Sequence, residues 1–239
     1  MLNSDSGIAK TAGFLYLIII FSAGFSEGYV RANLIAPGDV VATIDNIKNS
    51  VGLYRTGFVL DLIAFLSDLG VSIFLYILLK PVSRPLALIA LFLRLLAHPA
   101  IASVNLLNYF APLLILGDAN LLSAFSPDQL QTLVSLFLNL HHTGYLVAGA
   151  FFGMHCLFLG YLLYKSDLFP AALGVLIGLA AIGYLIESFG NFLFPAGKDI
   201  YQWIVVAPAV VAELSLGLWL MIKGVKKTSQ THDSFSSTL

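Results

Sequence analysis

The sequence predicts an all-α fold, an integral membrane bundle of six transmembrane helices, and three observations predict it. Six apolar segments each reach the roughly 20 helical residues needed to cross a bilayer core. Charged residues make up 10% of the 239-residue chain and hydrophobic ones 59%, against roughly 25% and 45–50% in a soluble domain. The connections between the apolar segments alternate between basic and mixed character along the chain. A mean hydropathy of +0.91 leaves too little polar surface to face water, so the lipid bilayer is the first partner implied.

The segments run over residues 11–30, 51–79, 85–116, 130–164, 169–194 and 200–222. The first has an apolar stretch longer than the 7–15 residues of a signal-peptide core, and Ser22-Ala23-Gly24 is a poor cleavage match, so it is expected to be a retained span. The second runs to the Lys80-Pro81-Val82-Ser83-Arg84 turn. The third and fourth exceed the minimum length, which predicts tilt or a lead-in turn. The fourth opens on Ser126 as N-cap with Pro127 at the first helical position. Leu130, Leu133, Val134 and Phe137 follow on one face, which is expected to lie at the membrane interface. The fifth and sixth spans complete a single membrane domain, 11–223, between an N-terminal stretch, 1–10, and a polar tail, 224–239, whose composition predicts disorder.

Orientation follows from the basic residues. Lys10, Lys80, Arg84, Lys165, Lys223, Lys226 and Lys227 stand close to span ends on one side. The other connections hold Arg31, Lys48, Arg55 and Lys198, diluted by Asp39, Asp45, Asp118, Asp128 and Asp199. The positive-inside rule makes the first side cytoplasmic, with both termini there. A net charge of −1 gives no basic surplus for nucleic acid. Cys156, the only cysteine, excludes a disulfide framework and a thiolate metal cluster.

Charges inside the membrane carry the functional expectation. A charged side chain at a helix centre costs about 2.5–3.5 kcal/mol on the insertion scale, so each needs a partner or a polar cavity. Counted from the basic ends of their helices, Asp68, Arg94, His155 and Glu213 all fall about 15–18 Å into the membrane, in one layer. A second set lies farther out. Glu27 and Arg31 are i,i+4 on the first span, and Glu187 and Asn191 on the fifth. Asp61 shares a face with Asp68, His141 with His155, and Asn105 and Asn108 continue the stripe begun by Arg94 and His98. Together these sketch a polar seam. It reads either as a pocket or conduit for a small-molecule or lipid ligand, or as structural glue in which Arg94 neutralises Asp68 or Glu213. Arg31 with Glu27 reads as a surface-level helical pair worth about 0.2–0.5 kcal/mol, and the asparagines as interhelical hydrogen bonders.

Other patterns carry less. Gly24-Phe25-Ser26-Glu27-Gly28 fits G-x-S-x-G but lies in a helix, not in the strand-to-helix turn a nucleophile elbow requires. The same stretch is also G-x-x-x-G, like Gly149 to Gly153 and Gly174 to Gly178, which predicts close helix approach and a homo-oligomer through such faces. Pro99 and Pro208 predict kinks beside the polar layer. Zinc at a catalytic site takes three nitrogen or oxygen ligands, and His141, His155, Asp61, Asp68 and Glu187 are the residues that offer them. There is no H-E-x-x-H, and His141 and His155 lie about 21 Å apart along a straight helix. No metal and no cofactor are therefore expected, and no catalytic residue is assigned.

Four blocks resemble a known family: Glu27 to Arg31 with Ala36 to Asp39; Arg55 to Phe58 with Asp61, Leu62 and Asp68; His141 through His155 to Tyr161; and Gly183 to Phe189 with Asn191 and Phe192. In order and spacing they are similar to bacterial membrane proteins grouped as Domain of Unknown Function 4386, over about Lys10 to Lys223. The resemblance implies a bacterial multi-pass protein of the inner membrane and brings no activity with it. His98 departs from the family pattern and ranks below His141 and His155. The expectation is a six-helix bundle binding or conducting a small ligand or proton at Asp68, Arg94, His155 and Glu213. The rivals are an intramembrane metal-dependent hydrolase acting on lipid and a non-catalytic assembly or sensor subunit.

Overall fold

The computed structural model describes residues 2–226, and among these no strand occurs. The tail proposed as disordered lies, beyond Lys226, outside the described residues. Six helical spans are long and apolar enough to cross a membrane: Asp5–Leu34, Val51–Leu79, Arg84–Gly117, Pro127–Lys165, Ala171–Leu193 and Pro195–Ile222.

The first span is α1 (Leu2–Phe25), a π-helical turn (Ser26–Arg31) and α2 (Ala32–Leu34). In that turn the Ala32 N–H donates to the Glu27 carbonyl five residues back. Gly38, at φ +78°, reverses the chain into α3 (Val40–Asn49), whose first turn is capped by Asp39 accepting from the Ala42 N–H at 2.9 Å. The second span is the unbroken α4 (Val51–Leu79).

The third span is α5 (Arg84–Leu95), a second π-helical turn (Leu96–Ala102) and α6 (Ser103–Gly117). Pro99 accounts for the widening. It has no N–H, and its ring would strike the carbonyl four residues earlier in a regular α-helix. One extra residue in the turn relieves both problems, and the Ser103 N–H reaches the His98 carbonyl. The kink predicted at Pro99 is thus a π turn, whereas α10, introduced below, runs through Pro208 as one helix.

A short α7 (Ala119–Ala124) precedes the fourth span, α8 (Pro127–Lys165). Its start is as the sequence predicts, with Ser126 and Gln129 closing a reciprocal capping box. The face of Leu130 and Val134 packs against Ile44 of α3 and Ile115 of α6. The fifth span is α9 (Ala171–Leu193), and a 3-10 turn (Pro195–Gly197) leads into the sixth, α10 (Lys198–Ile222). Gly224, at φ +69°, ends α10 with its N–H on the Trp219 carbonyl.

Each span packs against its neighbours in sequence, and the sixth returns to the first, so the six form a closed ring. Glycines set the tightest approaches: Gly160 of α8 meets the backbone of Gly174 and Gly178 of α9, and Gly13 of α1 meets that of Leu220 and Met221 of α10. Gly24 and Gly28 meet nothing within van der Waals reach, so their G-x-x-x-G spacing serves no contact inside the ring. Because neighbours pack side by side, the side chains of all six spans converge on one interior, and the polar residues meet there.

Candidate functional site

Arg94 organises the inner layer. It is among the largest side chains buried completely, and Asp68, which faces it from α4, is likewise 0% exposed. Nε and Nη2 of Arg94 both donate to Oδ1 of Asp68, at 2.8 and 2.6 Å. The guanidinium plane lies between two rings, Tyr16 of α1 at 4.9 Å and Phe152 of α8 at 5.2 Å. A planar, weakly hydrated cation tolerates such flanking far better than an ammonium would.

The remaining nitrogen, Nη1, lies 3.2 Å from Nε2 of His155. A guanidinium only donates, so Nε2 must be the acceptor. The proton of that imidazole is then on Nδ1, which donates to the Ala90 carbonyl at 2.7 Å. His155 is thereby fixed as a neutral tautomer with both nitrogens engaged.

The second oxygen of Asp68 is taken by His98, whose Nδ1 donates to Oδ2 at 2.9 Å. His98 stacks between Phe65 and Phe152, and its side chain is 21% exposed. No hydrogen bond engages its Nε2 among the described residues. Departure from the family pattern ranked His98 below His141 and His155; in the structure the π turn at Pro99 presents His98 to Asp68.

Glu213, placed in this layer by its depth, reaches it indirectly. It makes no ion pair with Arg94; it accepts from Tyr184 of α9 at Oε1 and from Tyr16 at Oε2, the latter at 3.5 Å. Tyr16 therefore links α10 to the guanidinium it flanks.

The outer layer repeats the arrangement. Arg31 is 8% exposed rather than surface-level. Its Nη1 donates to Oδ2 of Asp61 at 2.6 Å and to Ser26 Oγ at 3.1 Å, and its Nε to Glu27. Ser26, the centre of the chance G-x-S-x-G match, passes its own proton to the Gly57 carbonyl of α4 at 3.0 Å. The guanidinium lies over Tyr109 and Tyr145. Each layer thus has one arginine on one α4 aspartate, flanked by two aromatic rings and positioned beside a π turn. π turns of this kind frequently occur at functional sites.

Asn105 donates to the His141 carbonyl at 2.7 Å, and Asn108 to Asn105 Oδ1 at 3.0 Å. His141 is buried, and its Nε2 has no partner among the described residues. Glu187 and Asn191 stand apart from both layers: the Asn191 amide donates to the Glu187 carbonyl at 2.8 Å, and neither side chain joins an arginine. No group of three or more His, Cys, Asp or Glu among the described residues is disposed to hold a metal ion.

Sequence reasoning missed the aromatic participants, Tyr16, Phe152, Tyr184, Tyr109 and Tyr145. One signal was available for the inner pair. Tyrosine favours the membrane interface, so Tyr16 and Tyr184 deep within spans called for a polar partner. Chemically, the inner layer can hold a charge that is never lost, on Arg94, and can exchange a proton between His98 and Asp68.

A protein of Archaeoglobus fulgidus described as uncharacterized is 28% identical over 160 residues, which is 66% of this chain and 78% of that protein. No solved structure matches. Residues 11–224, nearly the whole ring, match the family described as Domain of unknown function (DUF4386), and as a six-span membrane protein the chain belongs to that family.

Proposed function

We propose that the chain binds and conducts protons along its polar interior, with Asp68 and His98 as the exchanging pair. The observation that carries this reading is the division of labour at Asp68. One carboxylate oxygen is held by the permanent charge of Arg94, and the other meets an imidazole whose far nitrogen is free. A proton taken up on Nε2 of His98 makes an imidazolium facing the carboxylate. Transfer of the Nδ1 proton to Oδ2 then leaves a neutral imidazole and an uncharged acid, which balances the step. Among a small ligand, a lipid and a proton, the proton is favoured because aromatic rings fill the space around Arg94. The positive-inside rule supports placing the basic ends of the spans, and both termini, on the cytoplasmic side, and the family resemblance supports a bacterial inner membrane.

The test is a pH-sensitive dye inside proteoliposomes, with a potassium diffusion potential to drive the flux. Wild type should acidify or alkalinise the lumen according to the sign of the potential, and Asp68→Asn and His98→Gln should each slow this at least tenfold. Equal rates in the two variants and wild type would overturn the reading.

A further inference from the structure

On the same reading, we infer that water reaches the inner layer from the basic end of the bundle, along a path between α4, α5 and α8. A small cavity of about 10 Å³ lies directly beside His155, bounded by Ser72 of α4, Ala87 and Ala90 of α5, and Leu159 and Leu162 of α8. That is about the room of one water molecule. It is not a purely apolar void. Ser72 is buried and its hydroxyl donates a hydrogen bond to the backbone carbonyl of Asp68 at 2.6 Å, leaving its oxygen lone pairs available to a water. At the basic end, a groove of about 610 Å³ opens among Leu78, Ser83, Leu86, Lys165 and Ser166.

The two spaces lie on the same helical stripes. Leu78 follows Leu75 of the cavity wall by three residues, Leu86 precedes Ala90 by four, and Lys165 and Ser166 follow Leu162 by three and four. Residues at those spacings stack one turn apart on a single helix face. On all three helices, then, the groove adjoins the cavity on the side of the basic end, with Leu78 next to Leu79 and Leu86 next to Ala87 in the chain. Ala87 and Ala90 give the α5 wall two small side chains, beside Leu91. Leu79, Leu159 and Leu162, all buried, line the cavity on its α4 and α8 sides. The path arrives at Ser72 and His155, on the face of the Asp68–Arg94 pair away from His98. Water at this end and His98 at the other would give the proton access from both sides of the layer.

X-ray hydroxyl-radical footprinting of the full chain in nanodiscs reads this directly, because radicals form from water and mark side chains beside it. Leu159 and Leu162 should be oxidised at least fivefold faster than Ile177, an equally buried leucine-sized control between α8 and α9. Ala87→Phe, which fills the cavity, should remove that excess and slow proton flux at least fivefold. Leu159 and Leu162 as unreactive as Ile177 in the wild-type protein would overturn the path without any variant having to fold. Normal flux in Ala87→Phe, with flux still lost in Asp68→Asn, would reject the path and keep the proton reading. Oxidation of the two leucines in a protein with no flux would keep the path and reject proton conduction.

Discussion

His155 accepts a hydrogen bond from Arg94 while donating one to the Ala90 carbonyl, so a single imidazole joins a permanent charge to the backbone of the same helix. On the proton reading proposed above, that relationship makes His155 a positioning residue and leaves His98 as the exchanging group. It also predicts a spectroscopic state: 15N shifts of His155 in labelled protein should be those of the Nδ1–H tautomer. Replacement of His155 by Ala leaves an Nη1 donor of Arg94 buried without its partner, at a cost of about 1–3 kcal/mol. The thermal midpoint should fall by several degrees, while flux per folded molecule falls less than in His98→Gln. A His155→Ala protein as stable as wild type would show that these bonds do not hold Arg94 in place.

Arg94 and Asp68 are worth testing as a unit. Removing one partner of a buried ion pair strands the other and costs about 3–5 kcal/mol, whereas replacing both with apolar residues of similar size is often neutral. Arg94→Met alone should therefore accumulate poorly or melt early, and Arg94→Met with Asp68→Leu should recover. If the pair is only glue, the double variant is also functionally whole. If Asp68 exchanges protons, the double variant folds, inserts and conducts nothing. Fluorescence-detected size exclusion and the dye assay separate these outcomes.

Arg31 holds two carboxylates of unequal worth. Asp61 is buried with the guanidinium, while the Glu27 side chain is 70% exposed. Exposed pairs are worth about 0–1 kcal/mol, so Glu27→Gln should leave thermal stability within a degree or two of wild type. Asp61→Ala strands a buried guanidinium and should cost several-fold more, as measured by unfolding in detergent. Equal effects from the two substitutions would mean that Asp61 does not anchor Arg31.

The spans were legible because hydrocarbon admits only long apolar helices, and the six runs from 11–30 to 200–222 satisfy that condition without reference to tertiary contacts. The layer was legible as well: a fixed rise per residue put Asp68, Arg94 and His155 at one depth, and the ring brings them together. Rotation about the helix axes was less so. Glu213 has the right depth, but it meets Tyr16 and Tyr184 instead of Arg94, because which neighbour a residue faces depends on the closing of the ring. The π turns were hidden because Pro99 announces a broken bond without stating how the chain repairs it, and at Ser26–Arg31 no proline marks the turn. Helix α3 left a usable trace that went unread: Asp39 as a cap, with Ile44 and Ile47 three residues apart on the buried face.

Glycine positions separate internal packing from assembly. A Cβ on Gly174 would collide with the Gly160 carbonyl and the Tyr164 backbone, so Gly174→Val must push α9 away from α8. Overpacking of this kind typically costs about 1–3 kcal/mol, and here rigid backbone atoms receive it, so the upper end is expected. A Cβ on Gly24 or Gly28 meets nothing, and Gly24→Leu should leave the melting temperature unchanged. If that glycine face joins copies of the chain, Gly24→Leu shifts the oligomeric state read by light scattering in detergent while Gly174→Val lowers stability. An unaltered mass for Gly24→Leu, in a wild-type protein that is oligomeric, would place the contact on another face of the ring.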